Sequence, residues 1–251
     1  MAWVETSSRH FIARHDEGDA GEVQSVLELL EETRERLLER FPSVPADVEV
    51  VIHGSDAQLA VAQPVVPLVR RLTAPAARRY VVGWPARGTV HVLAPRLLER
   101  HASNVAESRE MERLAPAALY TQLVVGHNNP HLPPPFRLGT LVRGIRWAWL
   151  VHGAAQWFSG QTAHARAAIG RRLREGRPPA FPPGLADAPL LGGTVVDLVA
   201  REEGEEAAVR LACRLPARGP RAGLVEVFGG RPLRHTEAAW RAHLARVVGG
   251  R

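Results

Sequence analysis

Three histidines have the spacing of a helix-borne metal site. His127 and His131 lie four residues apart near the end of an apolar run, and His152 follows twenty-one residues after His131. Residues four apart share one face of an α-helix, so two such histidines and a third ligand from the next helix can bind one zinc ion. Three neutral imidazoles leave a fourth zinc position open for water. The spacing therefore predicts a zinc site able to activate water.

Two predicted helices must bring these histidines together. The first runs from Ala115 to Gly126 and leads into the histidine pair, and the second runs from about Leu141 to Gly160. Both carry their histidines in line with apolar residues, so we expect the histidine-bearing faces to point inward, toward each other. Pro130 interrupts the first helix because its ring clashes with a carbonyl in the preceding turn, which can skew the histidine pair.

The two histidine segments resemble the active site of gluzincin-type zinc metallopeptidases, the peptidase MA-like domains. That superfamily reads His-Glu-x-x-His and then, roughly 20 residues later, Trp-Leu-x-Glu-Gly-x-Ala-x-Tyr. The corresponding segments here are HNNPH at residues 127–131 and WLVHGAAQW at residues 149–157. The resemblance implies that His127, His131 and His152 are the metal ligands and that zinc is the cofactor.

The same resemblance shows three acidic positions rewritten. Asn128 replaces the general-base glutamate, His152 replaces the ligand glutamate, and Gln156 stands where related proteins often carry an acid that supports a ligand. An amide has no usable proton affinity, and loss of a general base costs about 10²–10⁴-fold in rate. The sequence therefore predicts a metallopeptidase-like pseudoenzyme or binding module that retains a metal but lacks ordinary peptidase activity.

Other uses of these residues stay open at this stage. One alternative is an active metal-dependent hydrolase with a three-histidine zinc site, suited to substrates whose leaving group needs little protonation. A pocket lined by the three histidines without any metal explains the spacing equally well. A further hypothesis is a metal-free anion pocket built from histidine and arginine, such as Arg143 or Arg146.

Composition narrows the class of protein and its partners. The chain of 251 residues carries a net charge of +6, and all its basic residues are arginine, interspersed with Asp and Glu. This pattern is typical of a solvated surface, so we expect no nucleic-acid partner. The resemblance to the metallopeptidases implies a peptide or protein ligand in the cleft. The sequence lacks an apolar run of membrane-spanning length, a secretory signal and a second cysteine beside Cys213, which indicates a cytoplasmic protein.

The order of predicted elements indicates an α+β fold, and the resemblance to the metallopeptidases implies that it is zincin-like. We expect a zincin-like α/β subdomain with the active-site helices over residues 1–175 and a helical C-terminal subdomain packed on it over residues 176–251. Strands are predicted at 10–15, 48–53, 80–84 and 89–93, and C-terminal helices at 194–215 and 236–248. In the resembling enzymes an edge strand lines the cleft and pairs with substrate; residues 89–93 are the predicted edge strand here.

Overall fold

The fold was derived from a computed structural model that describes residues 3–105, 107–134 and 138–249. Within these ranges it is α+β, as the sequence predicts, with one five-stranded mixed sheet and fourteen α-helices. The strands are β1 (Trp3–Ser7), β2 (Phe11–Asp16), β3 (Val48–His53), β4 (Gly83–Pro85) and β5 (Thr89–Leu93). The helices are α1 (Ala20–Leu38), α2 (Asp56–Ala62), α3 (Val65–Leu72), α4 (Pro75–Arg78), α5 (Pro95–His101), α6 (Ser108–Arg113), α7 (Ala115–Asn128), α8 (Leu138–Arg146), α9 (Ala148–Phe158), α10 (Arg166–Arg174), α11 (Ala188–Glu203), α12 (Glu205–Cys213), α13 (Pro220–Val227) and α14 (Leu233–Gly249).

The strand order is β1-β2-β3-β5-β4. Strands β2, β3 and β5 are parallel, and the antiparallel strands β1 and β4 form the two edges. The prediction that residues 89–93 form the edge strand is therefore wrong, since β5 lies between β3 and β4. Apolar alternation located β5 along the chain, but it carries no information on which side of β5 the hairpin partner β4 would pair.

Helix α7 is the central helix of the fold. It contacts the sheet through β4 and β5, helix α1 on another side, and helix α9. Nearly all of its residues from Ala115 to Gly126 are buried, as expected for a helix that is apolar all round. Because the helix has no polar face, its sequence alone does not show which side meets which neighbour.

The predicted helix over residues 141–160 is two helices, α8 and α9, which separate at Trp147. The backbone of Trp147 departs from helical geometry, with φ −107° and ψ 24°. As a result Leu141 and Ile145 are exposed on α8, while Trp149 is buried on α9. The predicted continuous apolar stripe leading to His152 therefore does not exist in this form.

Two glycines fix the position of α9. A Cβ atom on Gly153 would lie 2.4 Å from the carbonyl oxygen of Gly192 on α11, and one on Gly192 would lie 2.5 Å from the carbonyl oxygen of Trp149. The two helix backbones are thus in direct contact, which only glycine permits. This contact fixes the backbone of α9 and therefore the side of the helix on which His152 lies.

The C-terminal helices pack on the same apolar core as the N-terminal part. The predicted helix at 194–215 is divided into α11 and α12 at Gly204, whose φ of +89° glycine adopts readily. One buried cluster includes Leu27, Leu150, Leu191 and Trp240, so residues from both predicted subdomains contribute to it. The division at residue 175 stays a prediction. Among the described residues, no helix combines the length and the apolar character needed to cross a membrane.

Candidate functional site

The histidine pair lies at the C-terminal end of α7, outside the protein core. The helix ends at Asn128, and Asn129 is extended (φ −132°, ψ 92°), as expected for a residue that precedes proline. Both His127 and His131 are exposed. His127 Nε2 lies 3.0 Å from Ser43 Oγ, and His131 Nδ1 accepts a hydrogen bond from Arg143 at 2.9 Å. The prediction that these two histidines face inward is wrong. Helix α7 ends before His131, and its rotation turns His127 away from the core.

Asn128 connects the end of α7 to the loop around Ser43. Its carboxamide oxygen accepts from the Ser43 N–H at 3.1 Å, and its nitrogen donates to the carbonyl oxygens of Ser43 at 2.6 Å and Val124 at 2.9 Å. The side chain is fully occupied by backbone hydrogen bonds. Asn128, the residue at the candidate general-base position, therefore links the backbone of α7 to the backbone of the loop around Ser43.

His152 lines a different part of the molecule, a cavity of about 50 Å³ under the edge strand, which we call the β4 cavity. Its walls come from β4 and the residues before it, from α7, from α9 and from the start of α11. The lining residues are Tyr80, Val81, Val82, Gly83, Trp84, Ala115, Ala118, Leu119, Gln122, His152, Ala155, Gln156, Gln161 and Pro189. The cavity is large enough for a few water molecules or one small side chain.

Helix α7 presents one definite face to the β4 cavity. Ala115, Ala118, Leu119 and Gln122 follow the spacing i, i+3, i+4, i+7, which marks a single side of a helix. His127 comes five residues after Gln122 and at about 100° per residue points about 140° away from it. The structure thus brings His152 together with Gln122 and separates it from the histidine pair.

The three histidines do not fit zinc as a joint ligand set in this arrangement. Among the residues that the structure describes, which include all three, no group of three or more His, Cys, Asp or Glu side chains lies close enough to hold a metal ion. His127 and His131 also have other partners, Ser43 and Arg143. Metal binding by this protein stays a prediction.

Gln122, like His152, lines the β4 cavity without a hydrogen bond to the described part of the protein. Gln122 is only 4% exposed. A buried carboxamide without a partner costs about 1–3 kcal/mol. The histidine spacing gave no indication of Gln122. Its position as the one glutamine of a largely apolar helix could have identified it.

Gln156 also lines the β4 cavity, but its amide is used elsewhere. Its oxygen accepts from the Gly193 N–H at 3.2 Å and its nitrogen donates to the Pro189 carbonyl, so it joins α9 to α11. Neither hydrogen bond involves His152, for which the sequence predicts Gln156 as a supporting partner. Gln161, which sequence reasoning also missed, donates to the Met111 carbonyl at 2.6 Å.

Among the residues that the structure describes, no carboxylate or thiol lines the β4 cavity. Glu112 lies on α6, three residues before the first lining residue of α7, Ala115. Its exposure is 1%, and it is not part of the lining. Neither of its oxygens has a hydrogen-bond partner in the described part of the chain, and burial raises the pKa of the carboxyl group well above its usual value. It adds no base to the β4 cavity.

Burial keeps two histidines neutral and links stability to pH. Burial lowers the pKa of the half-buried His152, whose side chain lines the β4 cavity, from 6.5 to about 4. Burial, and secondarily the charge of His91 at 3.1 Å, lowers the pKa of His53 to about 4 as well. Between pH 6.5 and 4 the unfolded chain binds protons that the folded chain cannot, so stability falls as pH falls.

For each of these two histidines, we expect the free energy of unfolding to fall by about 1.4 kcal/mol per pH unit below about pH 6.5. Urea unfolding at pH 7, 6 and 5 measures this slope. His53→Gln and His152→Gln should each flatten it, whereas His235→Gln, at an exposed position, serves as the control. An equal slope in all four proteins would contradict the assignment.

Comparison of the chain with protein-family models, with curated proteins and with solved structures found no match.

Proposed function

We propose that this chain is a gluzincin-like domain without ordinary peptidase activity that acts as a binding module through the β4 cavity. One observation carries the proposal. Neutral hydrogen-bonding side chains, Gln122 from α7 and His152 from α9, face the same cavity, and neither makes a hydrogen bond to the described part of the protein. Such a pair suits recognition of a neutral polar group.

The arrangement of elements supports the likeness to gluzincin domains. In the resembling enzymes an edge strand lines the cleft beside the first active-site helix, and here the edge strand β4 lines the cavity together with α7. Helix α9 contributes His152 from the position of the ligand glutamate. Ala118 and Gln122, four residues apart on the cavity face of α7, then occupy the positions of the two motif histidines. In this alignment the motif begins at Ala118, nine residues before His127.

The chemistry of the β4 cavity favours binding over hydrolysis. A general base works best when its pKa lies near the working pH, and burial holds the pKa of His152 at about 4. The lining offers no carboxylate or thiol as a replacement. The alternative of an active three-histidine hydrolase requires His127, His131 and His152 to converge, which would need the end of α7 to rearrange.

The ligand class follows from the size and neutrality of the β4 cavity. About 50 Å³ accommodates a small side chain but not a whole peptide. Hydrogen-bond donors and acceptors are present on both Gln122 and neutral His152. A peptide or protein ligand that inserts one small neutral polar side chain would satisfy both groups.

A peptidase assay on the full chain with added Zn²⁺ or Co²⁺ and unfolded casein tests the loss of activity. We expect no chelator-sensitive turnover, and well below one equivalent of metal by elemental analysis after reconstitution. His127→Ala and His152→Ala separate the outcomes. Turnover abolished by His127→Ala would establish the three-histidine hydrolase, and turnover abolished only by His152→Ala would show that the β4 cavity is catalytic.

A further inference from the structure

A second concave site, the arginine pocket, lies at the start of α13 and shares no lining residue with the β4 cavity. It has a volume of about 330 Å³ and is lined by three arginines, Arg146, Arg218 and Arg221. The other lining residues are Ala180, Phe181, Pro182, Gly219, Pro220 and Ala222. Although the chain carries 26 acidic residues, no Asp or Glu of its described part lines this pocket. The pocket is therefore purely cationic.

None of the three guanidinium groups has a protein partner in the described part of the chain. Other arginines of the chain are paired with acids, such as Arg172 with Asp187 and Arg96 with Asp19, whereas among the described residues these three are not. Three like charges around one concavity repel one another, and the repulsion is relieved by solvent or by a bound anion. The pocket thus has the electrostatics of an anion site.

The backbone adds to this positive potential. Helix α13 begins at Pro220, and the N–H groups of Arg221 and Ala222 lie in its first turn, where no preceding helical carbonyl accepts from them. The positive end of the helix dipole also lies at this end of α13, beside the pocket. Gly219 has φ +92°, and a Cβ atom there would lie 2.4 Å from Arg146 Nη2, so the guanidinium of Arg146 packs directly on the residue that caps the helix.

We propose that the arginine pocket binds a small oxyanion with two or more negative charges, such as a phosphate monoester or pyrophosphate. Guanidinium forks match phosphate oxygens in pairs, and the first-turn N–H groups supply further donors. The volume accommodates pyrophosphate or a phosphate with a small organic group. Arg146 is one of the two arginines that the sequence suggested for an anion pocket; the other, Arg143, instead donates to His131.

Isothermal titration calorimetry of the full chain with pyrophosphate and with inorganic phosphate, at about 0.15 M NaCl, tests the site. We expect saturable binding of pyrophosphate that weakens at least about tenfold in Arg146→Gln and in Arg218→Gln, since hydrogen bonds between charged groups are the strong ones. Arg9→Gln is the matched control, because Arg9 is exposed, lies outside the pocket and also lacks a partner in the described chain. It should change affinity less than twofold.

Three outcomes would overturn the proposal. The first is no pyrophosphate binding up to about 10 mM. The second is equal weakening in Arg9→Gln and the pocket variants, which would indicate attraction by net charge alone. The third is tighter binding of a single-stranded oligonucleotide than of pyrophosphate with the same dependence on Arg146, which would assign the pocket to a nucleic-acid backbone.

Discussion

The substitution Gln156→Leu should lower the free energy of unfolding by about 2–5 kcal/mol. The substitution Gln122→Leu should instead raise it by about 1 kcal/mol. The two substitutions are chemically identical and both remove a buried carboxamide from the wall of the β4 cavity. Gln156→Leu leaves the Gly193 N–H and the Pro189 carbonyl without their partner. Gln122→Leu removes an amide that has no protein partner among the described residues, and so relieves a desolvation cost.

Equilibrium urea unfolding of the wild type and both variants at pH 7 measures the difference. Each substitution is the matched control of the other, since size and burial are similar and only the hydrogen bonding differs. If Gln122→Leu destabilises the protein as strongly as Gln156→Leu, then Gln122 has a structural partner and the β4 cavity loses its main support as a binding site. Stabilisation is the expected sign of a residue kept for function, because functional sites often retain locally unfavourable groups.

The double substitution Ala118→His with Gln122→His should create a stoichiometric zinc site at the β4 cavity. Both positions face the β4 cavity on α7, four residues apart, and His152 faces them from α9. Glutamine and histidine have similar volumes, so only position 118 gains bulk. Zinc at 100 times its dissociation constant would stabilise the folded variant by about 2.7 kcal/mol.

Elemental analysis and zinc-dependent thermal unfolding measure this gain. Adding His152→Ala to the double variant should abolish most of the affinity, which shows that the third ligand comes from α9. Asn128→Glu with His152→Glu, the pair that the sequence suggests for restoring a peptidase site, should bind no zinc, because position 128 faces Ser43 and not the cavity. If the wild type instead binds zinc through His127 and His131, and the double variant adds nothing, the register on α7 proposed here is wrong.

The sequence by itself determined the bounds of some elements and the helix that carries His152. Strands β3 and β5 have the predicted bounds, 48–53 and 89–93, because alternation of buried residues is a local property of the chain. Pro130 interrupts α7 near the predicted place, since its steric effect acts on the preceding turn. His152 lies on α9 within the segment whose residues resemble a gluzincin motif.

Only the tertiary structure decided what His152 faces. Each residue advances a helix by about 100°, so the direction of His127 depends on how α7 is rotated against β4, α1 and α9, and an apolar helix leaves that rotation undetermined. The partners of Gln156 lie more than thirty residues away on α11. The position of β4 outside β5 likewise depends on pairing between strands. Packing between distant segments determines these features. For that reason the spacing along the chain predicted His127 as the partner of His152, whereas in the folded protein Gln122 lines the same cavity as His152.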